Sequence, residues 1–223
     1  MKKPFKPDPF NGKHLATIFN FIYENNYWQG EESICGVTSG IEATKDLRRE
    51  LQSFISNYNI QTILDVPCGD FAWMNKMNLN NIKYLGGDIV PAMIENNRKR
   101  YSAHHINFKI IDICSNSLPK VDLIICRDCL VHLDFNKIHQ AIQNIVDSES
   151  TYLACTTFAK NKFNYDIKNG DWRTLNMQRS PFNFPEPFLL IDEYCPLGDG
   201  AFSDKALGIW YVADIWETMH LPN

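Results

Sequence analysis

No apolar run in this sequence approaches the roughly 18 residues of a membrane span, and no low-complexity tract interrupts it. Those absences exclude a helical membrane protein and a long disordered tail, and leave a soluble globular fold as the expectation. An excess of one charge is missing too. The formal net charge is −4, and the basic residues are scattered apart from Arg98-Lys99-Arg100, so nothing draws the chain to nucleic-acid phosphates. Cys126 and Cys129 form a C-x-x-C, but no second pair stands at zinc-finger spacing, and no metal is expected. The seven cysteines are an odd number, and Cys114, Cys126 and Cys155 lie in or beside apolar stretches where Cys acts as a small hydrophobe, which suggests a reducing cytoplasm. Also missing is the G-x-G-x-x-G cradle of a pyrophosphate-binding dehydrogenase. Met1 to Phe10 is basic and Pro-rich with no apolar core behind it, so it reads as a flexible arm, not a signal peptide.

What is present has an alternating rhythm. Leu15, Ile18, Phe19, Ile22 and Tyr23 recur at three and four and predict a helix within His14 to Tyr27; Leu47, Leu51, Phe54 and Ile55 predict a second. Between them, Trp28 to Gly40 is rich in Gly, Ser and Thr and reads as a loop. The two helices cover the sheet, or the loop with Trp28 closes over a ligand; both readings stand. Strands are predicted at Ile60 to Val66, Ile82 to Asp88, Ile106 to Asp112, Val121 to Cys126 and Thr151 to Phe158. A turn at Pro67 and Gly69 leads into a helix-like stretch from Phe71 to Met77, Pro91 opens a helix to Tyr101, and Asp134 caps one reaching Val146. That order predicts a doubly wound α/β sheet whose five strands run parallel.

Lys160 to Pro187 breaks the rhythm. It is polar, aromatic and longer than an ordinary connection, and Asn164, Asp166, Asp171, Trp172, Arg173, Asn176 and Arg179 suit a substrate-side lid. Phe188 to Tyr194 and Ala206 to Ile215 read as two last strands, with antiparallel pairing at the sheet edge. The whole is expected to be one domain: an N-terminal helical cap over 1–58, a core over 59–158, the substrate-side loop over 159–187 and C-terminal strands over 188–223.

Three strands end in acids: Asp65, Asp88 and Asp112. Any one of them is as readily an N-cap or a turn residue as a ligand. Together, one after each of three successive strands, they favour a ligand at the carboxyl edge of the sheet. The order of motifs over Ile60 to Ile215 resembles a class I S-adenosylmethionine-dependent methyltransferase. In that family the first acid precedes a Gly-rich turn, the second holds ribose hydroxyls and the third lies near the adenine. The family turn is D-x-G-x-G-x-G; here Asp65-Val66-Pro67-Cys68-Gly69-Asp70-Phe71 keeps the middle glycine alone. The resemblance implies a seven-stranded, mostly parallel Rossmann-like sheet with an antiparallel C-terminal edge strand and two extra N-terminal helices. It implies S-adenosyl-L-methionine held by Asp65, Pro67, Cys68, Gly69, Phe71, Trp73, Asp88, Ile89, Asp112, Ile113 and Arg127. Phe71, in place of a glycine, would set its ring near the methionine part of the cofactor or into the packing.

The family's fourth-strand motif falls on Cys126-Arg127-Asp128. His132 titrates near neutrality and is a candidate base toward a hydroxyl acceptor, with a packed histidine as the equal alternative. Asp128 would orient it or the substrate, and Arg127 would pair with the cofactor carboxylate, an acidic substrate or a neighbouring Asp. The acceptor is expected to be a small molecule, the polar loop would suit a sugar or other polar metabolite, and no metal is needed because the methyl group arrives activated. Two rival readings are a non-catalytic module of the same fold and a cysteine nucleophile at Cys68, at the turn before the helix-like stretch, with His132 as its base.

Overall fold

A computed structural model describes residues 10, 12–195 and 197–220, so the arm expected at Met1 to Phe10 lies, except for Phe10, outside the described residues. Seven strands form one sheet: β1 Thr62–Asp65, β2 Lys83–Asp88, β3 Ile106–Ile110, β4 Leu123–Cys126, β5 Tyr152–Phe158, β6 Leu189–Asp192 and β7 Lys205–Tyr211. Their order is β3-β2-β1-β4-β5-β7-β6. The first five run parallel, as the alternation with helices requires. β7 enters antiparallel between β5 and the edge strand β6, pairing with β5 from Tyr152↔Tyr211 to Phe158↔Lys205.

The helices are α1 Leu15–Glu24, α2 Lys45–Asn57, α3 Pro91–Tyr101, α4 Phe135–Asp147 and α5 Val212–His220. Because successive strand residues point to opposite faces, Leu64, Ile124 and Cys126 pack with α1, α4 and α5 on one side, while Ile63, Leu123 and Ile125 pack with α2 and α3 on the other. Asp134 caps α4 by accepting the Lys137 N–H at 2.7 Å, and Pro91 opens α3. Among the described residues no helix is long and apolar enough to cross a membrane.

Two expected elements differ. Phe71 to Met77 is not an α-helix but a turn followed by one 3₁₀ turn, Met74–Lys76. Phe71 sits at φ +62°, outside helical space, and Phe71 and Met74 are fully buried, so this connection packs against the sheet without building a helix. Ala206 to Ile215 is not one strand: β7 ends at Tyr211 and α5 begins at once. Val212 and Ile215, three apart, are both buried and turn one helical face toward the core beside α4.

Strand order reverses between β1 and β4, so the loops leaving their carboxyl ends diverge and open a crevice. That crevice is where the acids and the Arg127 to His132 segment converge.

Candidate active site

A cavity of ≈ 390 Å³ occupies the crevice, a volume in the range of small-molecule sites. One half is built on the ends of β1, β2 and β3. Gly69 turns there at φ +54°, and a Cβ on it would lie 2.5 Å from the Cys35 Sγ of the loop above, so both the backbone and the close approach require glycine. Asp88 is buried and accepts the backbone N–H groups of Gly69 at 3.1 Å and Val90 at 3.0 Å. Burial pushes its carboxyl up to about 6, against those hydrogen bonds. Pro67, Cys68, Ile89 and Ile113 also line this half. Asp112 does too, its carboxylate accepting from the Cys114 N–H and the Ser115 hydroxyl. Trp73 closes the inner wall under the Arg127 guanidinium, 5.6 Å from its ring.

The other half is built on the ends of β4 and β5 and the start of β7. Arg127 donates through Nε and Nη2 to Glu193 at 3.2 and 2.5 Å, and through Nη2 to the Thr38 carbonyl at 2.8 Å. Lys205 Nζ lies 2.6 Å from Asp128 and 3.0 Å from Glu193. Two cations and two carboxylates thus form a balanced buried cluster, of which the Asp128 side chain, 19% exposed, is the most open to the cavity. Burial would raise the Asp128 carboxyl, but the Lys205 and Arg127 charges overcome it and hold the group well below the usual carboxylate range.

His132 lies beside this cluster with its ring stacked on Trp28, centroids 4.7 Å apart. Its Nδ1 is 2.9 Å from the Asp171 carbonyl. A carbonyl can only accept, so Nδ1 carries the proton and Nε2 carries the lone pair. Burial lowers the pKa of the ring and favours this neutral form. The Lys160 to Pro187 strap supplies that carbonyl, and two of its polar side chains, Arg173 and Asn176, are turned inward. Fully buried Arg173 donates to the carbonyls of Leu130, Leu133 and Tyr165. Asn164 and Asn176 bond to the segment's own backbone, and Asp166 accepts the Phe135 N–H.

Eleven of the residues singled out from the sequence therefore line one cavity: Pro67, Cys68, Gly69, Trp73, Asp88, Ile89, Asp112, Ile113, Arg127, Asp128 and His132. Two of the expected cofactor residues do not line it. Phe71 does not reach the cavity; its ring packs between Tyr84, Tyr101 and Phe108 on the α2–α3 side. Asp65 lies beneath the cavity floor, bonded by the Tyr84 hydroxyl at 2.7 Å, and burial pushes it up to about 7. Of the alternatives open to Arg127, the structure shows the pairing with a neighbouring acid: its Nη1 lies 3.4 Å from Asp128, and Glu193 and the Thr38 carbonyl take its Nε and Nη2. The nucleophile reading of Cys68 also fails: burial and the Asp88 and Asp65 charges raise its thiol far above the thiolate range, and no α-helix N-terminus follows it. Glu193 and Lys205 escaped sequence reading. The lone signal was a lysine opening the otherwise apolar run Lys205 to Tyr211.

Residues 63–148 match the family model described as a methyltransferase domain. No curated protein matches the chain significantly. Among solved structures, the methyltransferase domain of bacterial CtHen1-CN is 13% identical, covering 76% of this chain and 99% of that one at a TM-score of 0.55. The N-methyltransferase NodS of Bradyrhizobium japonicum WM9, solved with S-adenosyl-l-homocysteine, is 20% identical over 61% of this chain and 73% of that one, TM-score 0.50. Magnesium protoporphyrin IX methyltransferase of Synechocystis PCC 6803, solved with SAM, is 14% identical over 71% and 82%, TM-score 0.50. At these identities the likeness is one of fold.

Proposed function

Given that this chain carries a methyltransferase domain of the class I fold, we propose that it binds S-adenosylmethionine and methylates a hydroxyl oxygen of a small molecule, with His132 as base. The observation that carries the reading is the two-ended chemistry of one cavity. At one end stand the carboxylates of Asp88 and Asp112 and the backbone of the Gly69 turn, with no Lys or Arg that would answer a phosphate; at the other stands an imidazole whose Nε2 is free to accept a proton. This donor and acceptor set fits a nucleoside with an amino-acid tail. Asp88 would take the ribose hydroxyls, and the Pro67 to Gly69 backbone would face the tail.

When bound, S-adenosylmethionine supplies a methyl group on sulfonium, already activated for attack. The chain's own tasks follow from its geometry. The apolar walls and the loop over Cys35 exclude water, Asp128 helps orient the acceptor, and His132 Nε2 takes the hydroxyl proton. Arg127 and Lys205 act through Asp128 by holding its carboxylate ionised, and Glu193 holds those two cations in place. All seven cysteines are free thiols, which supports placing the enzyme in a reducing cytoplasm.

The test separates binding from chemistry. S-adenosylhomocysteine at a hundred times its Kd should stabilise the protein by about 2.7 kcal/mol in thermal unfolding. His132→Ala should keep that stabilisation and lose on the order of 10²–10⁴ in turnover. A variant with undiminished turnover would return His132 to packing.

A further inference from the structure

Resting on the methyltransferase reading, we infer that the acceptor is an uncharged phenol, a ring-bearing hydroxyl compound seated among Phe158, Trp172 and Phe202 with its oxygen toward His132. These three rings meet edge to face, with centroids 4.9 Å apart for Trp172 and Phe202, 6.1 Å for Phe158 and Trp172, and 6.3 Å for Phe158 and Phe202. All three line the same cavity as His132 and Asp128, and Leu197 and Val37 extend the apolar wall. Such a wall rewards a flat ring, which stacks or meets rings edge-on, and gives a polyol nothing to bond. Asn164, Asn176 and Asp166 of the strap, which would suit a sugar, are bonded to backbone instead.

Charge narrows the class further. Arg127, Lys205, Asp128 and Glu193 neutralise one another, so an acceptor with a net charge would find no uncompensated partner in this half. Acidity narrows it again. A phenol ionises near pKa 10, about six units below an alcohol of water-like acidity near 16. Neutral imidazole is therefore matched to the former and weak toward the latter. In the reaction the phenol oxygen bonds the methyl carbon, the bond from sulfur to that carbon breaks with its electron pair left on sulfur, and the phenolic proton passes to His132 Nε2 and then to water. The products are an aryl methyl ether and S-adenosylhomocysteine.

The test uses the full chain with S-adenosylhomocysteine present for binding and S-adenosylmethionine present for turnover. Naphthol should quench tryptophan fluorescence saturably and yield a methyl ether by mass spectrometry; methyl glucoside and phenyl phosphate should do neither. Trp172 is 43% exposed, so its removal spares the core. Trp172→Ala should raise KM for naphthol by about tenfold or more while kcat changes little, and Trp172→Phe should restore most of the loss. If S-adenosylhomocysteine stabilises the protein but methyl glucoside is methylated in preference to naphthol, or Trp172→Ala leaves KM unchanged, the phenol assignment is overturned alone. If S-adenosylhomocysteine itself does not bind, the methyltransferase reading falls and takes the acceptor class with it.

Discussion

Asp88 is the residue on which cofactor affinity should turn. Each of its carboxylate oxygens already accepts one backbone N–H, from Gly69 and from Val90, and each keeps a further acceptor site. Those internal donors hold the group in place, while burial raises its folded pKa from 3.8 to about 6. Between these values the folded state holds a proton that the unfolded state has released. Ionising Asp88 therefore weakens the free protein as pH rises through that window. Ligand hydroxyls favour the carboxylate, so binding has the opposite slope. The Kd for S-adenosylhomocysteine should be flat from about pH 8 down to about 6, then weaken by up to tenfold per unit below that. Calorimetric titration across this range checks it, with Asp88→Asn as the reference that should bind more weakly and lose the inflection. An affinity independent of pH in the native protein would remove Asp88 from the ligand. Gly69 and Asp88 were legible in the sequence because a strand-ending acid and a turn glycine are local signals. Phe71 was not, because whether a turn residue faces a ligand or the opposite core depends on a backbone angle of φ +62° that the sequence does not display.

Among the elements, those with their own punctuation were readable. Pro91 opens α3 and Asp134 caps α4, and both signals act within one helical turn. The Lys160 to Pro187 strap carries no periodicity, and its order comes from a long-range anchor. Arg173 reaches 40 or more residues back along the chain to the Leu130 and Leu133 carbonyls, at 3.0 and 2.6 Å, which no local pattern announces. Asp171, the acceptor for His132, stands two residues from that anchor. Arg173→Ala should therefore loosen both the strap and the His132 imidazole. Two buried carbonyls and the part-buried one of Tyr165 lose a charged donor, and the expected cost is about 3 kcal/mol in urea unfolding, with reduced turnover. Arg173→Lys should recover little, since an ammonium group lacks the planar fork that spans separate carbonyls. Full stability in the alanine variant would mean that the strap is held by its apolar contacts instead.

At the scale of the molecule, α1 and the loop after it form a roof pinned to both halves of the cavity. The Ile34 N–H donates to Asp70 at 3.1 Å on the half built from β1 and β2. On the half built from β4 and β5, the Thr38 hydroxyl donates to Asp128 at 3.2 Å and the Thr38 carbonyl accepts from Arg127 at 2.8 Å. Trp28 stacks on His132 between them. α2, by contrast, packs its Leu47, Leu51 and Phe54 on the far face of the sheet. The two N-terminal helices, alike in their amphipathic pattern, thus have different tasks: α1 covers the site and α2 covers the sheet. The sequence left these tasks undivided because both helices show one apolar stripe and neither shows which face of the sheet receives it. A ligand filling the cavity should strengthen the roof locally. Amide exchange by local opening at residues 30–40 should slow on the order of tenfold to a hundredfold when S-adenosylhomocysteine binds, while the exposed end of α2 at Asn57 should exchange as before. Equal slowing in both segments would indicate global stabilisation alone, and unchanged exchange at residues 30–40 would show that the roof takes no part in holding the ligand.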